Sequence, residues 1–425
     1  MTSESHSSGH ESSSDDEEGV KRGPFSSGLF VDPSQAIPTS SKARSKRRIA
    51  ALEEELDMMR QERGSKQRKT TYYVAQGRAI RRMIVLYANL EDMIAENNRR
   101  YEYRLEDTES TIEQDRLQRG YLEAAWSLPW LHVKLGHIDR EDAEDMLKKL
   151  KQGADAARSD DTSCLKELVA GWINQEFHPS PLIKPNDKLS RGFTSDICGK
   201  LLCPAEWDWN KNRRVVKAGI RDRMSEYIVS ENSWPLFVYE NYQVDHSKLE
   251  EGFLKSKLLV LAFKAIFTSP SSAREAEGDG DGADIIENNR RARRKSDHTK
   301  VKTCVASIIN MKKVTPRAIA YIVCQVRFAL SSVSSWRTVD ADFDYEAFWN
   351  NIVDYFEDTP GPVTRRKVEK LLEWWTRKIF GTRHRDDLTP DVVSKMSVNA
   401  LANQRKALED AAFDSDPESA AEPSH

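Results

Sequence analysis

The sequence predicts an all-α protein: a helical domain preceded by a long amphipathic, coiled-coil-patterned helix, with disordered tails. Three observations predict it. Apolar residues recur at spacings of three and four, the period of one helix face, along Ile80, Met83, Tyr87, Leu90 and Ile94. The stretch VTPRAIAYIVCQVRFAL (314–330) is apolar nearly all round, as a central buried helix is. No run of convincing length alternates apolar and polar residues in the manner of a half-buried strand.

Residues 1–48 read as a disordered, acidic-then-basic arm. Residues 1–20 hold six acids and no Lys or Arg, and KARSKRR then places Lys42, Arg44, Lys46, Arg47 and Arg48 together. Blocks of one sign repel themselves and stay solvated. Ser12, Ser13 and Ser14 stand directly before four carboxylates, a context for acidophilic kinases or simply a solvating arm.

Residues 49–109 predict two helices. The first is short, with Ile49, Leu52, Leu56 and Met59 on one face and an end at Gly64. The second runs for roughly forty residues, with a seam of Ile80, Met83, Tyr87, Leu90, Ile94, Asn97 and Tyr101. Gly64 and Gly77 are costly there, since a helix-interior glycine costs about 1 kcal/mol. Asn97 is a polar seam residue of the kind that fixes register in a coiled coil. The seam is therefore expected to join a protein partner or a second copy, or else to lie on the protein's own body.

Residues 120–381 predict a helical domain. Helices are expected over 139–151, with acids in the first turn and lysines in the last, and over 164–177, with Leu165, Leu168, Val169 and Trp172 on one face. Thr315 reads as an N-cap with Pro316 in the first helical position. Further helices follow over 344–358 and 363–381, the last closing at Gly381. The apolar blocks 249–268 and 314–381 read as halves of one domain. Between them, 271–300 is expected to be a disordered insertion, acidic first and then basic through Arg290, Arg291, Arg293, Arg294 and Lys295. Residues 382–425 read as an acidic, mostly disordered tail.

Composition supports this division. Only 38% of the 425 residues are apolar and 31% are charged, too polar for a uniformly globular chain. Five cysteines (Cys164, Cys198, Cys203, Cys304 and Cys324) make an odd set that fits reduced thiols in an intracellular protein. The N-terminus has no basic and apolar leader pattern, and no run approaches the roughly eighteen apolar residues of a membrane span. No membrane association is expected.

Four segments carry a resemblance: KAIFTSPSSA (264–273), VTPRAIAYIVCQVRFALSSVSSW (314–336), FDYEAFWNNIVDYFED (343–358) and LLEWWTRKIFG (371–381). They resemble the signature blocks of a domain-of-unknown-function family abundant in mushroom-forming fungi. CPAEWDW (203–209) and SWPLFVYENY (233–242) are similar to its earlier segments. The resemblance spans 120–381 and implies a fold without implying an activity. Its implied spread through related genomes would fit a component derived from mobile elements.

The candidate chemistry is sparse. Both basic clusters suit nuclear import or phosphate contact. KARSKRR before the Ile49–Met59 heptads resembles a basic-region zipper, but the Asn and paired small residues of that pattern are missing. Lys211, Arg213, Arg214 and Lys217 follow Trp207 and Trp209, a combination that holds single-stranded nucleic acid. The competing reading is a solvated basic face with Val215, Val216, Ile220 and the tryptophans turned inward. Cys198 and Cys203 have the spacing of half a zinc site, without a second half. Glu277, Asp279, Asp281 and Gly282 follow a calcium-loop pattern, but Asn288 holds its twelfth position and Glu287 is one residue early. Asp340, Asp342, Asp344 and Glu346 either hold Mg²⁺ for phosphoryl chemistry or cap and flank the next helix. Phosphate-loop, HExxH and Gly-x-Ser-x-Gly motifs are absent.

These observations favour a non-enzymatic intracellular helical interaction protein, nuclear, touching nucleic acid through mobile basic segments and needing no cofactor. The alternative is a metal-dependent enzyme acting on nucleic acid with the carboxylates of 340–346. The cytoplasm is the alternative location.

Overall fold

A computed structural model describes residues 52, 71–103, 110–209, 213–222, 224–295, 304–309, 311–382 and 388–413. The chain divides at Gly64, and every described residue except Leu52 belongs to the unit Ser65–His425. Helix predominates, as the sequence predicts, and the only sheet among the described residues has two short strands.

The long helix expected across 80–101 is broken. Helix α1 (71–83) ends at Met83, residues 84–89 leave the helix, and α2 (Leu90–Tyr103) starts afresh. Two guanidinium groups satisfy the carbonyls exposed by the break. Arg81 Nη1 donates to Leu86 O at 2.6 Å, and Arg317 Nη1 donates to Ile84 O at 2.8 Å. Helix ends leave such carbonyls without an intrahelical donor, and basic side chains serve them well. Helix α3 (Ile112–Ser127) packs on α2 and opens with a capping box between Thr111 and Gln114.

Helix α4 (Pro129–Leu135) leads into α5 (Arg140–Phe177), capped by Asp139, which accepts from Asp142 N. The sequence predicts two helices here, over 139–151 and 164–177; the structure has one of 38 residues. The stretch between them has no apolar period because it packs through small residues and charges. A Cβ on Gly77 of α1 would stand 2.0 Å from Leu150 O, and one on Gly153 would stand 2.1 Å from Val74 O. The two backbones thus meet where only glycine fits. Asp155, Asp160 and Asp161 then pair with Arg81, Arg78 and Arg82 of α1.

Helices α6 (Asp196–Leu202) and α7 (Arg213–Arg221) come next, followed by short 3₁₀ turns. Helix α8 (Lys257–Phe263) runs into a π turn, Lys264–Thr268. Then come α9 (Gly282–Lys295), α10 (Val305–Ile308) and α11 (Pro316–Leu330). Helix α11 is buried at every position from Arg317 to Leu330, and Thr315 caps it by accepting from Ala318 N. Strands β1 (Val339–Asp340) and β2 (Phe343–Asp344) pair antiparallel around Ala341–Asp342. Helix α12 (Tyr345–Glu357), α13 (Pro362–Phe380), α14 (Pro390–Ser394) and α15 (Ser397–Phe413) complete the described chain.

The two apolar blocks pack together. Helix α8 contacts α11 and α13, Phe263 lies 5.5 Å from Trp375, and Trp375 Nε1 donates to Leu254 O at 3.0 Å. The segment between them differs from the expected disordered insertion over its described part, 271–295. Ala273 and Ala276 are buried, Ile285 and Ile286 pack on the core, and Gly280 N donates to Arg377 O at 3.0 Å. Small and β-branched residues within an otherwise charged stretch supply these contacts. In the C-terminal region, expected as a mostly disordered tail, α14 and α15 are helical, with mostly exposed side chains over 390–411. No helix among the described residues is long and apolar enough to cross a membrane.

Candidate functional site

Charged side chains cluster around the buried helix α11. Arg82 donates from Nε and Nη2 to the two oxygens of Asp161, each at 2.7 Å. Tyr321 Oη donates to Asp161 Oδ2 at 2.7 Å, Gln325 Nε2 to Tyr321 Oη at 3.1 Å, and Thr162 Oγ1 to Gln325 Oε1 at 3.0 Å. Burial and the Asp161 charge push the Tyr321 hydroxyl far above its ordinary pKa, so it stays a donor. Arg317 forms two hydrogen bonds with the Glu357 carboxylate, at 2.7 and 2.9 Å, and lies over the Trp349 ring.

At the C-terminal end of α11, two buried basic side chains take the last carbonyls. Lys188 donates to Phe328 O and to Ala329 O (3.3 Å), while Arg191 donates to Ala329 O at 2.7 Å and Lys166 O at 2.8 Å. The Arg191 guanidinium there complements the helix dipole. Burial, with Arg191 beside it, lowers the Lys188 pKa to about 7.

Beside this end lies a cleft of about 270 Å³. Its apolar walls include Phe193, Ile220, Ile228 and Phe343, and its polar groups include Arg327, Ser331, Asp340 and Asp342. Arg327 is 5% exposed, and its guanidinium carbon sits 3.1 Å from the centre of the Phe343 ring. Its Nη1 donates to Tyr345 Oη at 3.0 Å and stands 4.0 Å from Asp340 Oδ2. The hairpin carrying Asp340 and Asp342 turns through Ala341 at φ 57, a left-handed conformation that a residue with a Cβ rarely adopts.

A family model described as a family of unknown function (DUF6698) matches residues 152–380, more than half of the chain. The chain belongs to that family. No curated protein and no solved structure matches it. The matched region begins within α5 and ends with α13, later at its start than the 120–381 span of the sequence resemblance. It therefore includes α11, the cleft and Asp161, but not Arg82, which pairs with Asp161 from α1.

The carboxylates of 340–346 do not converge. Asp344 is the N-cap of α12, accepting from Glu346 N at 2.7 Å and Ala347 N at 3.1 Å, while Asp340 and Asp342 line the cleft. Among the described residues no group of three His, Cys, Asp or Glu side chains is placed to hold a metal ion. Of the four acids, helix capping claims Asp344. Cys198 and Cys203 are buried, and burial pushes the Cys203 thiol up to about 12. In the calcium-like stretch, Asp279 is held by Arg377 (3.3 Å) and Thr382 (3.0 Å), an internal tie between the segment and α13.

The 80–101 seam is largely spent on the protein itself. Ile80, Met83 and Leu90 lie in the core and Ile94 packs against it. Tyr87 Oη donates to Arg337 O at 3.3 Å, and Asn97 accepts from Gln118 at 3.2 Å. Only Tyr101, at 85%, is strongly exposed. A continuous coiled-coil surface through these residues is thus replaced by packing on the body.

Lys42, Arg44, Lys46, Arg47, Arg48 and Lys211 lie outside the described residues. Arg213, Arg293, Arg294 and Lys295 have described backbone in α7 and α9, with side chains outside the description. Arg214 is exposed, and Lys217 pairs with Asp196 and stands 5.5 Å from the ring centre of the buried Trp209. Val216 and Ile220, four apart, face inward as expected, but Val215 is 58% exposed. Arg290 and Arg291 are exposed on α9, and both pair with Glu287, whose carboxyl they hold down at about 2.

Sequence reasoning missed the cleft. A signal for it is a cation, Arg327, standing in a helix that is otherwise apolar nearly all round; such a charge needs a partner or a ligand.

Proposed function

We propose that this protein is a non-catalytic, intracellular helical interaction protein, nuclear in location, that contacts nucleic acid through basic surface segments. The observation that carries the reading is α9. It is tied to the body through Ile285 and Ile286 and presents Arg290 and Arg291, whose side chains are each 58% exposed. The sequence continues that run through Arg293, Arg294 and Lys295 and repeats it in Lys42–Arg48. Clustered arginines attract phosphate without regard to base sequence, by releasing counterions from the nucleic-acid backbone. The interior chemistry is consistent with a binding role: its charges satisfy helix ends and one another.

The test is binding of the full chain to random-sequence duplex DNA, single-stranded DNA and RNA across a series of salt concentrations. Affinity is expected to fall steeply with salt, and Arg290→Glu with Arg291→Glu is expected to lower both affinity and salt slope. Binding that is absent, or indifferent to salt, would reject the reading. Nuclear location is checked by imaging the tagged chain with Lys42–Arg48 intact and with those five bases replaced by alanine.

A further inference from the structure

We propose that the cleft at the end of α11 is a binding site for a small zwitterion, an α-amino acid with an apolar side chain. Its carboxylate would sit on Arg327, and its ammonium group beside Asp340 and Asp342.

Arg327 supplies the first half of the argument. It is held rigidly by the Phe343 ring on one side and Tyr345 Oη on the other. Asp340, at 4.0 Å, lies beyond hydrogen-bond length. Among the described residues the bond to Tyr345 is the only hydrogen bond Arg327 makes, so its remaining donors open to the cleft that it lines. A fixed, planar guanidinium with free donors is a receptor for a carboxylate.

The hairpin supplies the second half. Asp340 and Asp342 both line the cleft, on either side of the strained Ala341. Backbone held in a sparsely populated conformation tends to mark a place where position is under constraint. An anion alone would meet these two carboxylates, and a cation alone would meet Arg327. A ligand whose opposite charges are separated by one carbon satisfies both sides of a gap this short. The remaining walls, Phe193, Leu202, Ile220 and Ile228, take an apolar side chain. The cavity, about 270 Å³, is at the small end for a ligand pocket, as a single amino acid requires.

The experiment is isothermal titration of the full chain with L-leucine, L-phenylalanine, N-acetyl-L-leucine and 3-methylbutylamine. At least one of the two amino acids is expected to bind, with both single-charge analogues weaker by about tenfold or more. Asp342→Asn, an exposed change that leaves the core untouched, is expected to weaken the amino acid by about fivefold or more and to leave N-acetyl-L-leucine, freed of one repelling carboxylate, bound no more weakly than before. The site is refuted if neither amino acid binds. It is equally refuted if a single-charge analogue binds as tightly as its parent, or if Asp342→Asn changes nothing.

Discussion

Arg82 and Asp161 face each other as a two-pronged buried ion pair, with hydrogen bonds of 2.7 Å on both carboxylate oxygens and both side chains almost fully shielded from water. Tyr321 donates to the same carboxylate from the middle of α11. One aspartate thus joins α1, α5 and α11.

Replacing Asp161 by Ala should therefore be among the most damaging single changes. It strands a buried guanidinium and a buried hydroxyl, and removing one partner of a buried pair costs about 3–5 kcal/mol. The midpoint of urea unfolding reads this directly. A loss under about 1 kcal/mol would mean the pair behaves as if solvated.

Three helix-interior glycines should respond with opposite signs. Alanine is favoured over glycine in a helix interior by about 1 kcal/mol. At Gly171 of α5 no atom lies within 4 Å of an added Cβ, so Gly171→Ala should stabilise by up to that amount. At Gly77 and Gly153 the Cβ would meet the backbone of the opposing helix at 2.0 and 2.1 Å, so alanine there should destabilise by about 1–3 kcal/mol. Thermal unfolding of the three variants separates intrinsic propensity from the α1–α5 crossing. Stabilisation by Gly77→Ala would contradict the crossing described here.

Lys188 should give the protein a pH-dependent stability of defined sign. Its folded pKa is lowered to about 7, while an unfolded lysine titrates near 10.4. Between about pH 7 and pH 10 the unfolded chain holds the proton and the folded chain does not, so stability rises with pH across that window. Lys188→Met has no proton to exchange. The difference in unfolding free energy between wild type and variant should change by a few kcal/mol from pH 7 to pH 10. A constant difference would place Lys188 in contact with water.

The family region should not stand alone. A fragment of residues 152–380 loses Arg82 from Asp161 and the apolar contacts that Met146, Leu150 and α1 make with the core. It is expected to unfold without a sharp transition, whereas residues 71–382 should unfold cooperatively. Circular dichroism against temperature distinguishes the two fragments.

Local chemistry made much of this fold legible. Thr315 and Pro316 announce the start of α11, Asp342 or Asp344 the start of α12 and Gly381 the end of α13, because caps act on backbone groups a few residues away. Val216 and Ile220 face inward as the sequence reading of α7 has them, while Val215, expected beside them, is exposed. In the candidate site only the hairpin acids were visible, and their nearest other use, as helix caps, was visible with them.

Sequence by itself thus determined the all-α class, the boundaries of α11, α12 and α13 and the central place of α11, since apolar period and capping are local properties. Only the tertiary structure decided that the 80–101 seam breaks at 84–89, because the donor that caps Ile84 is Arg317, far along the chain. It alone joined 139–151 to 164–177, through a glycine crossing and ion pairs that carry no apolar period. It alone set Arg327 opposite Asp340 and Asp342 in one cleft. The physical reason is shared: a buried charge or a close backbone contact is defined by its partner, and these partners lie on other elements.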